Sequence, residues 1–326
     1  MSETRRRVWL IVRWSLAIAI LAFVGYRFWA DLSRLDVVDI NLRPAWLVAS
    51  GLLYMAGLLP SFWFWRRLMW KYGQRPSFFR SLRAYYIGHL GKYVPGKAVA
   101  LVMRASCVSG PEAKFGIAIV TSAYEVLTMM AAGGMTAAVL FLIQPPTVFP
   151  GDWNPVVIGV IILAIVGIPL TPGLFNRALK GLAARFGVSQ FSELYRLRVA
   201  TLLEGLLLMS VGWAIMGLSL WTCVQAVLSE TQMLDISLWS RYTAIVSLAY
   251  VAAFLVVVVP GGMGVREFFL VELITPELPS GGTVEIAGTA VVIGIVLRLV
   301  WTAADVISAA VVYLPGKRPS EPEHKT

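Results

Sequence analysis

Val259-Pro260-Gly261-Gly262-Met263-Gly264-Val265-Arg266-Glu267 interrupts an apolar stretch near 238–274, and Tyr93-Val94-Pro95-Gly96-Lys97 interrupts another near 77–104. Proline removes a backbone donor and disfavours helix at the residue before it, so each site reads as a helix break, at Pro95 and Gly96 in the first stretch and at Pro260 in the second. If such a chain lies in a bilayer, non-helical backbone persists only inside protein or beside a water-filled cavity. The two stretches therefore read as re-entrant helical hairpins lining such a cavity.

The rest of the chain supplies the bilayer. Of its 326 residues 58% are hydrophobic and 14% charged, against about 25% charged in an average soluble chain. So few charges do not cover a water-exposed surface of that size, and lipid must cover it. A spanning helix needs about 20 apolar residues. Six segments meet that length, near 8–30, 45–65, 115–143, 155–173, 199–228 and 286–312. The first, preceded by Arg5-Arg6-Arg7, reads as an uncleaved signal anchor. The expected fold is an all-α polytopic membrane protein with about six spanning helices and two re-entrant hairpins. It forms a single transmembrane domain over 1–314, with a short cytoplasmic tail at 315–326.

Loop charges set the orientation. Arg66, Arg67, Lys71, Arg75, Arg80 and Arg83 follow the second span, and Arg177, Lys180, Arg185, Arg196 and Arg198 follow the fourth. Asp31, Asp36 and Asp39, then Asp152, then Glu230 and Asp235, then Glu277 and Glu285 occupy the intervening loops. The positive-inside bias puts both termini and the basic loops in the cytoplasm of a cell-membrane protein. The first hairpin then enters from the cytoplasmic side and the second from the outer side. Halves at about 1–143 and 155–314 each read helix, helix, hairpin, helix in opposite orientations, the pattern of an inverted-repeat transporter.

The net charge of +10 is spread between apolar runs and not gathered in a patch with interleaved aromatics, so nucleic acid is a poor partner and anionic lipid head groups a better one. Two cysteines and two histidines, far apart, propose neither a disulfide framework nor a metal site. No nucleotide-binding motif appears, and no cofactor is expected.

Ionisable residues inside apolar runs are the candidates for function, because charge at the bilayer centre costs about 2.5–3.5 kcal/mol even on a lenient scale. In the second hairpin Gly261, Gly262 and Gly264 permit a tight turn and close approach of a ligand. A short helix starting there offers free N–H groups to an anion such as phosphate. Arg266 adds a guanidinium, the natural partner of phosphate, and Glu267 holds it or tunes its selectivity. The plainer reading is that Arg266 and Glu267 pair with each other at the hairpin rim. In the first hairpin Lys92, Lys97 and Arg104 either guide a head group from the inner leaflet or snorkel to the interface. Arg298 and Asp305 lie on nearly one face of the last span, and Arg298 and Glu125 read as lining the cavity. Glu204 reads as a structural ion-pair member. Trp63, Trp65, Trp70, Tyr85 and Tyr86 read as interfacial belts without a binding role.

Gly91-Lys92-Tyr93-Val94-Pro95-Gly96-Lys97 and the stretch from Val259 to Glu267 resemble the lysylphosphatidylglycerol synthase transmembrane family, whose members carry an early Pro-Gly hairpin and a late Pro-x-Gly-Gly-x-Gly-x-x-Glu-like one. The spacing of the late motif differs slightly here. In two-domain members this membrane region is regarded as a flippase for an aminoacylated phospholipid, followed by a cytosolic aminoacyl-transfer domain. Only Leu314 to Thr326 follows the last span, so the resemblance implies lipid translocation without the synthase step. It leaves open which phospholipid or lipid-linked substrate is moved. A membrane-embedded transferase, or a non-transporting partner of an envelope lipid-modifying enzyme, are the alternatives.

Overall fold

The structure, a computed structural model, describes residues 42–94, 98–144, 173–174, 177, 181, 199–228, 233–255, 264–279 and 283–313. Within these residues the architecture is helical, with no strand beyond one isolated bridge between Gly110 and Ala113. The expected span at 8–30 and all but the last residue of that at 155–173 lie outside the described residues, as do Pro95, Gly96, Lys97, Pro260, Gly261 and Gly262.

Helix α1 (Pro44–Lys71) starts with a proline in its first turn, where no intrahelical N–H is lost. It is followed by α2 (Phe78–His89), whose first turn is capped by Ser77 accepting from the Arg80 N–H at 3.4 Å. A 3₁₀ turn at Leu90–Tyr93 leads towards α3 (Ala98–Val108) and then α4 (Phe115–Ile143). In the second half come α5 (Val199–Val227), α6 (Ile236–Leu255), α7 (Val265–Ile274) and α8 (Thr283–Tyr313). Among the described residues five helices are long and apolar enough to cross a membrane: α1, α4, α5, α6 and residues 286–313 of α8. Four of these coincide with expected spans. The fifth, α6, is a hairpin arm in the sequence reading, yet its 20 residues reach spanning length.

The core is the seam between α1 and α5, and its register is regular. Arg43 donates its N–H to the Ala226 carbonyl, Ser50 meets Ser219, Gly57 meets Gly212 and Phe64 meets Gly205, stepping seven residues along each helix in opposite directions. A seven-residue step keeps one stripe of each helix facing the other, as in antiparallel coiled coils. Helix α4 also runs against α1, through Thr121 with Met69 and Tyr124 with Phe64. Helix α8 runs against α5, with the Trp301 indole N–H donating to Ser219 Oγ at 2.9 Å and Cys223 lying 3.9 Å from the Ile293 carbonyl. Helices α1 and α8 thus point one way and α4 and α5 the other.

Packing repeats between the halves. Helix α4 packs on α5 as α8 packs on α1; α4 touches α6 as α8 touches α2. Helices α2 and α3 form an antiparallel pair, as do α6 and α7, and each pair leans on the long helix that follows it, α4 or α8. The imbalance is at α5 against α6, an extensive contact where α1 against α2 is slight. Along α8, Arg83 reaches the Val312 carbonyl at 3.0 Å while Tyr93 reaches Thr302 at 3.2 Å. From Val312 to Thr302 is about 15 Å at roughly 1.5 Å per residue, half of a hydrocarbon core about 30 Å thick.

Candidate functional site

The turn after α2 delivers two polar side chains, and α1 a third, to one carboxylate. Asp305 of α8, 1% exposed, lies 2.6 Å from Lys92 Nζ. It also accepts from Tyr93 Oη at 2.7 Å and from Tyr54 Oη at 3.0 Å. Tyr54 in turn accepts from Lys92 at 2.8 Å and lies 3.3 Å from His89 Nε2. Removing a carboxylate from water costs several kcal/mol unless a counter-charge and hydrogen bonds replace the solvent, and this one has both.

A second ion pair lies deeper. Arg104 of α3 and Glu125 of α4 meet at 2.5 Å, 3% and 1% exposed. Ser61 of α1 donates to the same carboxylate, and Tyr85 does so at 3.3 Å. The guanidinium lies over the Tyr85 ring, 4.2 Å from its centroid, with Trp65 at 5.4 Å. Arg104 and Glu125 therefore face each other inside packed protein and not a cavity.

In the second half the polarity is reversed: the hairpin arm carries the acid and the following long helix the base. Glu267 of α7 pairs with Arg266 at 2.7 Å and lies 3.5 Å from Arg298 of α8, both through Oε1. Its Oε2 accepts the Gly264 N–H at 2.7 Å. Gly264 has φ +84°, a conformation that side-chain-bearing residues rarely adopt, so glycine is required where α7 starts. The anion at this helix N-terminus is thus the protein's own carboxylate. Arg266 also donates to Tyr250 Oη at 2.8 Å. Unlike the Arg104–Glu125 pair, this cluster is reachable, with Arg266, Glu267 and Arg298 between 14% and 21% exposed. It borders a shallow depression of about 200 Å³, counting its open mouth and with no enclosed room for a water molecule, floored by Tyr250, Leu270, Gly294, Leu297 and Trp301.

Aromatic rings join the clusters of the two halves. Trp301 stacks on Tyr54, centroids 4.3 Å apart, and tilts against Tyr250 at 5.2 Å. Side chains from both helical pairs therefore converge on α8 on either side of Trp301, with Arg298 and Asp305 on the face that meets them.

Of the residues singled out in the sequence, Arg266, Glu267, Gly264 and Arg298 come together, and Arg104 joins Glu125 away from them. Lys92 goes to Asp305. The Arg266–Glu267 pairing of the plainer reading is present, and Arg298 joins it. Glu204 is held by Arg67 at 2.7 Å and Lys71 at 3.0 Å, a structural bridge as expected. The aromatic reading needs correction: Trp65, Tyr85 and Tyr86 are buried in the core, where rings shield the Arg104–Glu125 pair, while Trp63 and Trp70 remain exposed. Tyr54, Tyr93, Tyr250 and Trp301 were not legible as site residues, since aromatics in apolar helices look alike until their partners are known. Among the described residues no group of three or more His, Cys, Asp or Glu side chains is placed to hold a metal ion.

No curated protein and no solved structure matches the chain. A family model described as the lysylphosphatidylglycerol synthase TM region matches residues 14–304. With that match over nearly its whole length, and apolar helices packed around buried charges, the chain is a multi-pass membrane protein of the lysylphosphatidylglycerol synthase transmembrane family.

Proposed function

We propose that this protein is a lipid translocase that moves an anionic or lipid-linked head group across the bilayer through a path between two re-entrant hairpins. The observation that carries the reading is the convergence of Lys92 and Arg266, one from each helical pair, on the two sides of Trp301. Ionisable groups at membrane depth mark substrate paths more often than they mark scaffolding. In this reading Arg266 and Arg298 hold the phosphate near mid-depth, Lys92 lines the cytoplasmic approach, and the lipid chains stay in the bilayer.

The opposed directions of the two halves and their matched packing support an inverted repeat, in which the halves rock against each other about the α1–α5 seam. The reach of Tyr93 to Thr302, about halfway along a membrane-crossing length of α8, supports a re-entrant α2–α3 pair. We assign the protein to the cell membrane, with the basic loops cytoplasmic.

The test is head-group accessibility in liposomes containing the purified protein and fluorescent phospholipids. Transbilayer movement faster than in empty liposomes, and lost in Arg266→Gln, is expected. Parental movement in folded Arg266→Gln protein would sink the assignment. A lipid-modifying transferase is favoured by one observation, the relay from His89 Nε2 to Tyr54 Oη at 3.3 Å and from Tyr54 to Asp305 at 3.0 Å, an arrangement suited to proton transfer. It predicts covalently altered lipid in the same liposomes, which extraction and mass analysis would reveal.

A further inference from the structure

We infer that Asp305 is a proton-binding site linked to the head group: an anion takes Lys92 away from Asp305 only as Asp305 takes up a proton, so proton and head group move together. The inference rests on the translocase reading and names the ion that travels with the lipid.

The Lys92–Asp305 pair is built unevenly. Asp305 is fixed on α8 with its side chain 1% exposed, whereas Lys92, on the turn after α2, is 29% exposed and ends a flexible four-carbon stem. Lys92 also lies within electrostatic reach of Arg266, so an anion held beside Arg266 attracts it. Lys92 can turn to that anion, and Asp305 cannot follow. The carboxylate would then stay buried without its counter-charge, which is strongly unfavourable. A proton on Asp305 removes that charge. Arg104 and Glu125 have no such freedom, since both are shut inside packed protein.

The hydrogen bonds around Asp305 give the proton a route and a place. His89, 17% exposed, has Nε2 3.3 Å from Tyr54 Oη, and Tyr54 donates to Asp305 Oδ1 at 3.0 Å. A proton arriving on His89 passes to Tyr54 Oη as the Tyr54 hydroxyl proton passes to Oδ1. His89 and Tyr54 end neutral and Asp305 ends as the carboxylic acid. Its new O–H donates back to Tyr54, while Tyr93 still donates to Oδ2 at 2.7 Å. Lys92 keeps its ammonium charge for the anion. Proton and anion binding then favour each other by the same factor, and a pH difference across the membrane drives the head group towards the alkaline side.

Tyr86 of α2 and Tyr250 of α6 also act on Asp305 from nearby, and Arg104 acts on His89. Phenols and amines ordinarily titrate at about pH 10 and guanidiniums above about 12. Among the described groups facing Asp305, His89 is therefore the one competitor for a proton near neutral pH.

The test is equilibrium binding of radiolabelled dihexanoyl phosphatidylglycerol, a probe whose phosphodiester stays a monoanion, to the full-length protein in neutral detergent between about pH 5.5 and 8. Binding needs no transbilayer movement, so its failure is separable from failure of the translocase reading. Affinity should fall by up to about tenfold per pH unit as pH rises, one proton being linked to each anion. Asp305→Asn, which imitates the protonated acid, should bind at the alkaline end as tightly as the parent does at the acid end, with no pH dependence. Lys92→Gln should also be independent of pH and about tenfold weaker than the parent at the acid end. His89→Gln should keep the parental slope, because the histidine passes the proton on and does not hold it. In case Asp305→Asn does not fold, an indicator dye in weak buffer reads proton uptake by the parent itself, up to about one proton per anion bound. Binding by the parent that is independent of pH, or that takes up no proton, would overturn the proposal. A slope kept in Asp305→Asn and lost in His89→Gln would assign the proton to His89 and overturn it equally.

Discussion

Ser50 and Ser219 exchange identical bonds: Ser50 Oγ donates to the Ser219 carbonyl at 2.8 Å, and Ser219 Oγ donates to the Ser50 carbonyl at 2.7 Å. Reciprocity of this kind marks a local two-fold relation between α1 and α5, and Gly57 and Gly212 repeat it one heptad on. A Cβ on Gly212 would stand 2.7 Å from the Gly57 carbonyl oxygen, and one on Gly57 would stand 3.1 Å from that of Gly212. Helices in lipid associate through such close approach of small residues.

Gly212→Val should therefore force α1 and α5 apart and cost about 1–3 kcal/mol, the usual penalty of overpacking. Ser50→Ala should cost only about 0.6 kcal/mol, because Ser219 keeps its own bond. Thermal unfolding of both variants in detergent checks the order. A Gly212→Val protein as stable as its parent would show that the seam yields without cost.

The Lys92–Asp305 pair makes a sharper prediction. Removing one member of a buried pair leaves an uncompensated charge and typically costs about 3–5 kcal/mol, while removing both is often tolerated. Asp305→Ala should thus destabilise strongly, and Lys92→Met added to it should restore much of the loss. Chemical denaturation of the parent, the two single variants and the double variant measures the coupling. Additive losses would mean that Lys92 and Asp305 do not depend on each other.

Much of the helical plan and part of this site were legible in the sequence, for a physical reason. Charge inside an apolar run is conspicuous by composition, so Arg104, Glu125, Arg266 and Arg298 stand out without a structure. Their pairings do not. Tyr54 and Asp305 are far apart in sequence and meet only because α8 returns beside α1. Nothing in one strand of text separates Trp65, an inward ring beside Arg104, from Trp63, which faces outward. The small-residue seam was also missed, since its seven-residue step is meaningful only once α1 and α5 are known to be antiparallel.

Orientation is open to direct measurement. Phe79 in the first turn of α2 is 77% exposed, and Met233 between α5 and α6 is 88% exposed. In a background with Cys107→Ser and Cys223→Ala, the single cysteine of Phe79→Cys should react with an impermeant maleimide only in inverted vesicles, and that of Met233→Cys only in intact cells. Labelling of both from one side would contradict opposed hairpins.

Tyr54 touches the clusters of both halves: its hydroxyl meets Lys92 and Asp305 while its ring stacks on Trp301. Tyr54→Phe keeps the stack and deletes only the hydroxyl. Because both lost bonds involve charged groups, stability should fall by about 1.5–3 kcal/mol. Trp301 and Tyr250 keep their contact, so the Arg266 cluster should retain its affinity for anionic head groups. Translocation in liposomes should nonetheless slow, since Lys92 loses its bond to α1 and α1 loses its bond to Asp305 of α8. Weakened head-group binding with unchanged movement would reverse the assignment, placing Tyr54 in the binding site and leaving the coupling of the halves to the α1–α5 seam alone.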